Sequence, residues 1–220
     1  MTAPAASPAR ALAPGIDPVR FEVVRNALLA ITEEMGATLR RAAYSTNIKT
    51  RGDFSCAFFD AELRTIAQAF AQPSHLGSLA HIVPRAIRAY GAGRLAPGDG
   101  ILINDPYLGG VHLNDITLIT PVFHEETLLG YVANIAHHVD VGGGAPGSIG
   151  VSSEIYQEGL VIPPVRFVKG GQIDPDIFAL IRSTSGAPGR SPATSGPRPR
   201  PTGWAPSASP PSSPSTGPPP

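Results

Sequence analysis

One cysteine in 220 residues, Cys56, leaves this chain no internal disulfide and fits a reducing compartment. Neither charge sign is in excess. Seventeen basic and seventeen acidic side chains cancel, which argues against the basic groove of a nucleic-acid binder and against a polybasic membrane face. No apolar run approaches the ~20 residues of a membrane span. Met1 to Gly15 is rich in Ala and Pro and holds no apolar core of signal-peptide length, so 1–16 reads as a disordered leader. The glycine-rich stretch 142–150 lacks the Gly-Lys-Ser/Thr ending of a nucleotide P-loop. These absences leave a soluble cytoplasmic protein with room for one domain-sized core.

Local signals begin at Asp17-Pro18, a capping side chain followed by proline at the first helical position. Phe21, Val24, Leu28, Ile31 and Met35 then recur at steps of three and four, which predicts an amphipathic helix to about Tyr44, packed on a sheet or a partner subunit. Phe54 to Phe59 reads as a short buried strand with Asp60 to Leu63 as its turn, and Leu79 to Tyr90 as a second helix with Pro84 near its first turns. Gly98-Asp-Gly100 turns into a strand from Ile101 to Asn104. The expected fold is mixed α/β (α+β): a long N-terminal helix on a mixed sheet, a metal-bearing β-hairpin and a disordered C-terminal tail.

The hairpin lies in the segment 104–144, which holds His112, His137 and His138, three of the six histidines, together with Asp115 and Asp140. These are ligand types that borderline and hard divalent metals accept. Ile116 to Phe123 reads as one strand, His124 to Thr127 as a turn and Leu128 to Ala136 as the next strand. With the turn centred on Glu125 and Glu126, opposed residues have numbers summing to about 252, which pairs Asp115 with His137. Opposed Cβ atoms stand roughly 5 Å apart, so these two side chains can share one cation, with His112 on the incoming loop placed to be a third ligand; histidines that only pack or hydrogen-bond are the plainer reading. His138 and Asp140 are alternates. A mixed imidazole and carboxylate set suits Zn, Mn or Fe.

The glycine-rich loop after these residues can cradle an oxyanion, or serve only as a flexible connection. Glu154 and Glu158 follow it as carboxylates able to act as a base or ligand, or to stay solvated.

Six blocks carry a resemblance to a known family: Asp17-Pro-Val-Arg-Phe-Glu-Val-Val-Arg-Asn26, Ser45-Thr-Asn-Ile-Lys-Thr-Arg-Gly-Asp-Phe-Ser-Cys56, His75-Leu-Gly-Ser78, Asn104-Asp-Pro-Tyr-Leu-Gly-Gly-Val-His112, His137-His-Val-Asp-Val-Gly-Gly143 and Gln157-Glu-Gly-Leu-Val-Ile-Pro-Pro164. Collinear over residues 17–182, the chain resembles the N-terminal part of the hydantoinase B/oxoprolinase family, whose members are much longer. The resemblance implies a cytoplasmic, metal-dependent subunit of a hetero-oligomer. Its partner would be a hydantoinase A/oxoprolinase-type subunit that handles ATP, and the pair would open a cyclic amide such as 5-oxoproline or a hydantoin. In the related carboxylase branch, which acts on ketones, a His-x-x-Asp pair and a downstream histidine hold a metal, and those positions fall on His112, Asp115 and His137. Asp53, Ser55 and His75 also lie in matching blocks. Asp53 and His75, with Glu158, are the residues expected to line the catalytic site; a turn cap and a packed histidine are the plainer readings of the first two. A non-catalytic metal-binding fragment is the rival from another class, and it predicts bound metal without ATP-dependent turnover.

After Arg182 the composition changes. Residues 183–220 hold 12 of the 25 prolines and 9 serines, with no Asp, Glu, Lys, Leu, Ile, Val or Phe. Such a segment buries too little apolar area to offset its chain entropy and is expected to be disordered. It also reads as a shifted frame. Codons taking the last base of one codon and the first two of the next can give Asn-Val-Arg at 184–186, Pro at 188 and Val-Ala-Gly-Asp-Leu-Arg-Ala-Gln at 191–198. The family pattern after Ile-Arg-Ser is Asn-Val-Arg-x-Pro, then Gly-Asp-Leu-Arg-Ala-Gln. A frameshift near Ser183 is therefore expected, and a polypeptide ending at Pro220 is expected to be poorly stable and inactive.

Overall fold

Asp17 opens the first helix as the capping pattern predicts. Its carboxylate accepts from the Val19 amide at 3.1 Å and Pro18 fills the first helical position of α1 (Pro18–Ala42). The computed structural model describes residues 15–69, 72–145 and 150–184. The leader to residue 14, the middle of the glycine-rich loop at 146–149 and the tail from 185 lie outside the described residues. Within α1 only Thr32, Gly36 and Leu39 are buried, all in the C-terminal half. The face expected to be covered is largely bare: Phe21, Val24 and Ile31 are 40%, 52% and 45% exposed.

Seven strands follow in one sheet: β1 (Phe54–Asp60), β2 (Thr65–Gln68), β3 (Gly100–Ile103), β4 (Asp115–His124), β5 (Thr127–His137), β6 (Val165–Lys169) and β7 (Gln172–Ile173). Their order is β2-β1-β5-β4-β3-β6-β7, and every pairing is antiparallel, so the sheet is not mixed as expected. The reason is in the connections. β4 and β5 are joined by a two-residue turn, and α2 (Pro73–Tyr90) does not link parallel neighbours.

α2 begins well upstream of Leu79. Pro73 is its first residue, and Pro84 sits inside the helix. Pro84 cannot donate to the carbonyl of Ala80, but Ala80 is exposed and water can take that bond. Leu79, Ile82, Val83, Ala86 and Ile87 form the buried stripe of α2. They pack on Ala57 and Phe59 of β1, Ile101 and Ile103 of β3, Ile119 of β4 and Tyr131, Ala133 and Ile135 of β5. Burial is worth about 1.5–3 kcal/mol for each large side chain in this cluster. The opposite face of the sheet is covered by α1 at one end, through Leu39 and Ala43 against Phe54 and Cys56. At the other end α3 (Pro175–Thr184) packs Ile181 with Leu102, Ile116 and Phe167. Asp174 caps α3 by accepting from the amides of Asp176 and Ile177, both at 3.0 Å. Residues 183 and 184, grouped with the tail by composition, belong to this helix. Among the described residues no helix is long and apolar enough to cross a membrane.

Candidate metal centre

Strand alternation collects the site. Side chains at i and i+2 share a face of a strand, and the odd-numbered Ala57, Phe59, Ile119, Ala133 and Ile135 all meet α2. Carried to the strand ends, the same parity sends Asp53, Asp115 and His137 to the α2 side, at the end of the sheet where α2 begins. The backbone ties these ends together: Asp115 is the opposed partner of His137, and the His137 amide donates to the Asp53 carbonyl at 3.0 Å. The predicted sum of 252 holds from Asp115↔His137 to Val122↔Gly130, and a bulge after Val122 absorbs the remaining offset before the Glu125-Glu126 turn.

Asp115 is the centre of the group. Its Oδ2 is 3.1 Å from Nδ1 of His112 and accepts from the His112 amide at 3.0 Å, while its Oδ1 is 2.8 Å from Nδ1 of His137. The two imidazoles meet edge to face with centroids 5.7 Å apart. One ligand atom from each of His112, Asp115 and His137 lies within 4.8 Å of the others. Bonds of 2.0–2.1 Å at right angles or tetrahedral angles separate neighbouring ligand atoms by roughly 2.9–3.4 Å. The two contacts to Asp115, at 3.1 and 2.8 Å, are close to that range, which makes the three side chains candidate ligands for one divalent cation. Asp115 is fully buried, whereas the His112 side chain is 52% exposed and gives the site its opening to solvent.

The first turns of α2 form the floor of this site. His75 points Nε2 at Oδ1 of Asp115, 3.4 Å away, and at Oδ1 of Asp53, 3.7 Å away. Ser78, one turn on, donates its hydroxyl to the Gly109 carbonyl at 2.7 Å and so pins the loop that carries His112. Gly109 has φ +119°, and a Cβ there would stand 2.9 Å from the Ile82 amide nitrogen, so only glycine lets the loop lie this close to α2. The loop is braced from the other side by buried Asn104. Its amide donates to the carbonyls of Leu113 and Leu160 at 2.7 and 2.8 Å, and its Oδ1 accepts from the Ile162 amide at 2.6 Å.

Other sequence-predicted residues stand apart from the three-residue group. His138 is next to His137 and therefore of opposite parity. Its backbone pairs with Asn114, donating to that residue's carbonyl and accepting from its side-chain amide. Asp140 caps a turn, accepting from the Gly142 amide at 2.8 Å. Glu158 ends the short helical turn Ile155–Gln157, where its amide donates to the Ile155 carbonyl. Sequence reasoning passed over Ser78 as a functional support; its position one turn after His75 was the available signal.

The electrostatics follow from burial and pairing. Burial alone would raise the Asp115 carboxyl. Hydrogen bonding from His137, the facing His75 and the His112 amide outweigh it, so Asp115 is held well below the usual carboxylate range. The His137 imidazole is raised, first by its hydrogen bond to Asp115. Burial, with the neighbouring His137 charge, lowers His138 to about 4. Cys56, on the α1 side of the sheet, is pushed up to about 12 by burial and is no nucleophile.

Comparison with known proteins gives the family of the chain. The family model described as hydantoinase B/oxoprolinase matches residues 17–195. The chain is 46% identical over 176 residues to the uncharacterized protein MJ0963 of Methanocaldococcus jannaschii, covering 79% of this chain and 31% of that protein. It is 40% identical over 185 residues to 5-oxoprolinase of Saccharomyces cerevisiae, covering 83% of this chain and 14% of the relative. The crystal structure of ATP-dependent caprolactamase from Pseudomonas jessenii superposes with a TM-score of 0.72 at 34% identity, covering 79% of this chain and 30% of that one. The chain thus spans a third or less of each of these three proteins. With a family match over most of its described length, this chain belongs to the hydantoinase B/oxoprolinase family.

Proposed function

We propose that this chain supplies the metal centre of an ATP-dependent amide hydrolase acting on a cyclic amide, with a hydantoinase A-type partner handling ATP in a cytoplasmic hetero-oligomer. The observation that carries the reading is Asp115: a fully buried carboxylate with an imidazole Nδ1 against each of its oxygens, at 3.1 and 2.8 Å. His112, Asp115 and His137 would hold the cation. A bound divalent ion supplies Lewis acidity, polarising a carbonyl or phosphoryl oxygen or lowering the pKa of water. The chain's own residues set the conditions for this. Asp115 is held ionised, so it keeps its negative charge through the neutral range. Asn104 and Ser78 fix the loop bearing His112, and the exposed side of that imidazole is where a substrate would approach.

A hydrolytic reaction is favoured over ketone carboxylation by the 34% identity with caprolactamase and the 40% identity with 5-oxoprolinase, proteins named for opening lactam rings. The test is to express the chain with a hydantoinase A-type partner, load it with Mn²⁺ or Zn²⁺, and measure ATP-dependent ring opening of 5-oxoproline and of simple lactams. Metal binding without ATP-dependent hydrolysis of any lactam would leave only a non-catalytic metal-binding role.

A further inference from the structure

His75 is the member of this region that the three-ligand reading leaves without a task. The residue is 3% exposed and sits on the first turn of α2. Its Nε2 looks between two acids, 3.4 Å from Oδ1 of Asp115 and 3.7 Å from Oδ1 of Asp53, while its Nδ1 is buried with no hydrogen-bond partner. Stranding a buried polar atom costs about 1–3 kcal/mol, so packing alone gives this ring no reason to adopt the orientation it has. The orientation is also fixed from outside. Ser55 of β1 donates to the carbonyl of Gln72, the residue before α2, at 3.3 Å and sets the position of the first turn over the strand ends.

The tautomer follows from the surroundings. With the proton on Nε2, two carboxylates that would otherwise repel each other share one donor, and the orphaned Nδ1 is only an unused acceptor. With the proton on Nδ1, a buried N–H would be stranded and an imidazole lone pair would face two acids. Both distances are longer than the roughly 2.7–3.2 Å of a strong hydrogen bond, so the contact steers the carboxylates more than it binds them.

We propose that His75 is a positioning residue of the metal centre: its Nε2–H, directed between Asp53 and Asp115, holds the Asp115 carboxylate in the orientation that turns one oxygen to His112 and the other to His137. The role rests on the metal reading of those three residues, and it makes α2 part of the centre. Outer partners that orient a ligand contribute about 10–100-fold to metal affinity.

The test is Mn²⁺ binding to the full chain, followed by electron paramagnetic resonance and calorimetric titration, for wild type, His75→Leu and His75→Gln. His75→Leu is expected to weaken Mn²⁺ binding about 10–100-fold. His75→Gln, whose amide N–H reaches close to the Nε2 position, is expected to restore binding to within a few-fold, although the two variants unfold at similar temperatures without metal. Should the leucine variant not fold, His75→Asn, whose amide reaches only the Nδ1 position, replaces it. Unchanged affinity in the leucine or asparagine variant would make His75 a packed bystander. A glutamine variant as weak as the leucine one would mean that the imidazole itself bonds the ion, and the positioning role would fall. Wild type that binds no Mn²⁺ would overturn the metal reading together with it.

Discussion

Asp115 and His137 face each other across β4 and β5 as a directly opposed pair, and their side chains close to 2.8 Å between Oδ1 and Nδ1. A slip of one residue between the two strands would set Asp115 opposite His138 and turn His137 to the other face of the sheet, away from α2. The turn at Glu125-Glu126 and the bulge after Val122 therefore act on the chemistry from the far end of the hairpin.

Replacing Asp115 with Asn keeps the shape and removes the charge. One end of the new amide must then present N–H groups to an imidazole that formerly met a carboxylate oxygen. Loss of these charge-assisted contacts should cost about 1.5–3 kcal/mol of stability without metal. Removal of a central ligand should weaken Mn²⁺ or Zn²⁺ binding by more than the ~100-fold typical of losing an outer partner. Urea unfolding and calorimetric titration check the two parts separately, and near-normal affinity in Asp115→Asn would remove this residue from the ligand set.

With metal removed by a chelator, stability should pass through a maximum near neutral pH. His138 is lowered to about 4 by burial, so the unfolded chain takes up its proton first as pH falls below 6.5. Stability then declines towards pH 4 by as much as about 1.4 kcal/mol per pH unit from this group. Asp115 adds a further loss below its unfolded value of 3.8, because its folded pKa is depressed. The His137 pKa is raised by its bond to Asp115, so its contribution is complete below 6.5 and disappears as pH climbs through the raised value. Urea titrations at stepped pH test the shape, and His138→Gln should flatten the limb between 6.5 and 4. An unaltered limb in that variant would count against the assignment.

Asn104→Ala should be among the more damaging substitutions away from the ligands. It strands the carbonyls of Leu113 and Leu160 and the amide of Ile162, each satisfied at present by the buried side chain. At about 1–3 kcal/mol for each unsatisfied group, less whatever water reaches, a loss of roughly 3 kcal/mol or more is expected. Thermal unfolding gives the stability change. A metal titration on the same variant should show weakened binding, because the loop to His112 loses its brace.

The coding DNA across the codons for Arg182 to Pro220 should contain a one-nucleotide slip near Ser183, with an open frame beyond it that encodes Asn-Val-Arg-x-Pro and then Gly-Asp-Leu-Arg-Ala-Gln. Resequencing decides the matter. Third bases unable to encode those residues would retire the frameshift and leave a genuine Pro/Ser-rich tail.

The site was legible in sequence to the extent that it depends on one hairpin. Two strands and a two-residue turn determine which residues face each other, so arithmetic on residue numbers was enough to pair Asp115 with His137. The start of α2 was harder to read. The sequence reading began the helix at Leu79, with Pro84 near its first turns, although it starts at Pro73 and the proline inside it is tolerated beside the exposed Ala80. The misplacement left His75 off the helix in the sequence reading and hid its relation to Asp115. For α1 the helix was legible, but its buried positions are Thr32, Gly36 and Leu39 rather than Phe21, Val24 and Ile31, because what the sheet covers depends on strands far along the chain. The β6–β7 hairpin, by contrast, had an unused signal in Gly170-Gly171, both at positive φ.

α1 also shapes how the molecule moves. Its last turns are clamped to β1 and β2, while Val19, Val23 and Val24, at 71%, 63% and 52% exposed, have no packing to hold them in register. A helical stretch of that length is marginal in water unless something packs on it. Amide hydrogens in the first three turns should therefore exchange through local fraying, while those from Thr32 onward wait for the sheet to open. One continuous helix thus contains two kinetic halves, and any surface that closes over the first would lengthen the protected half without altering the helix itself.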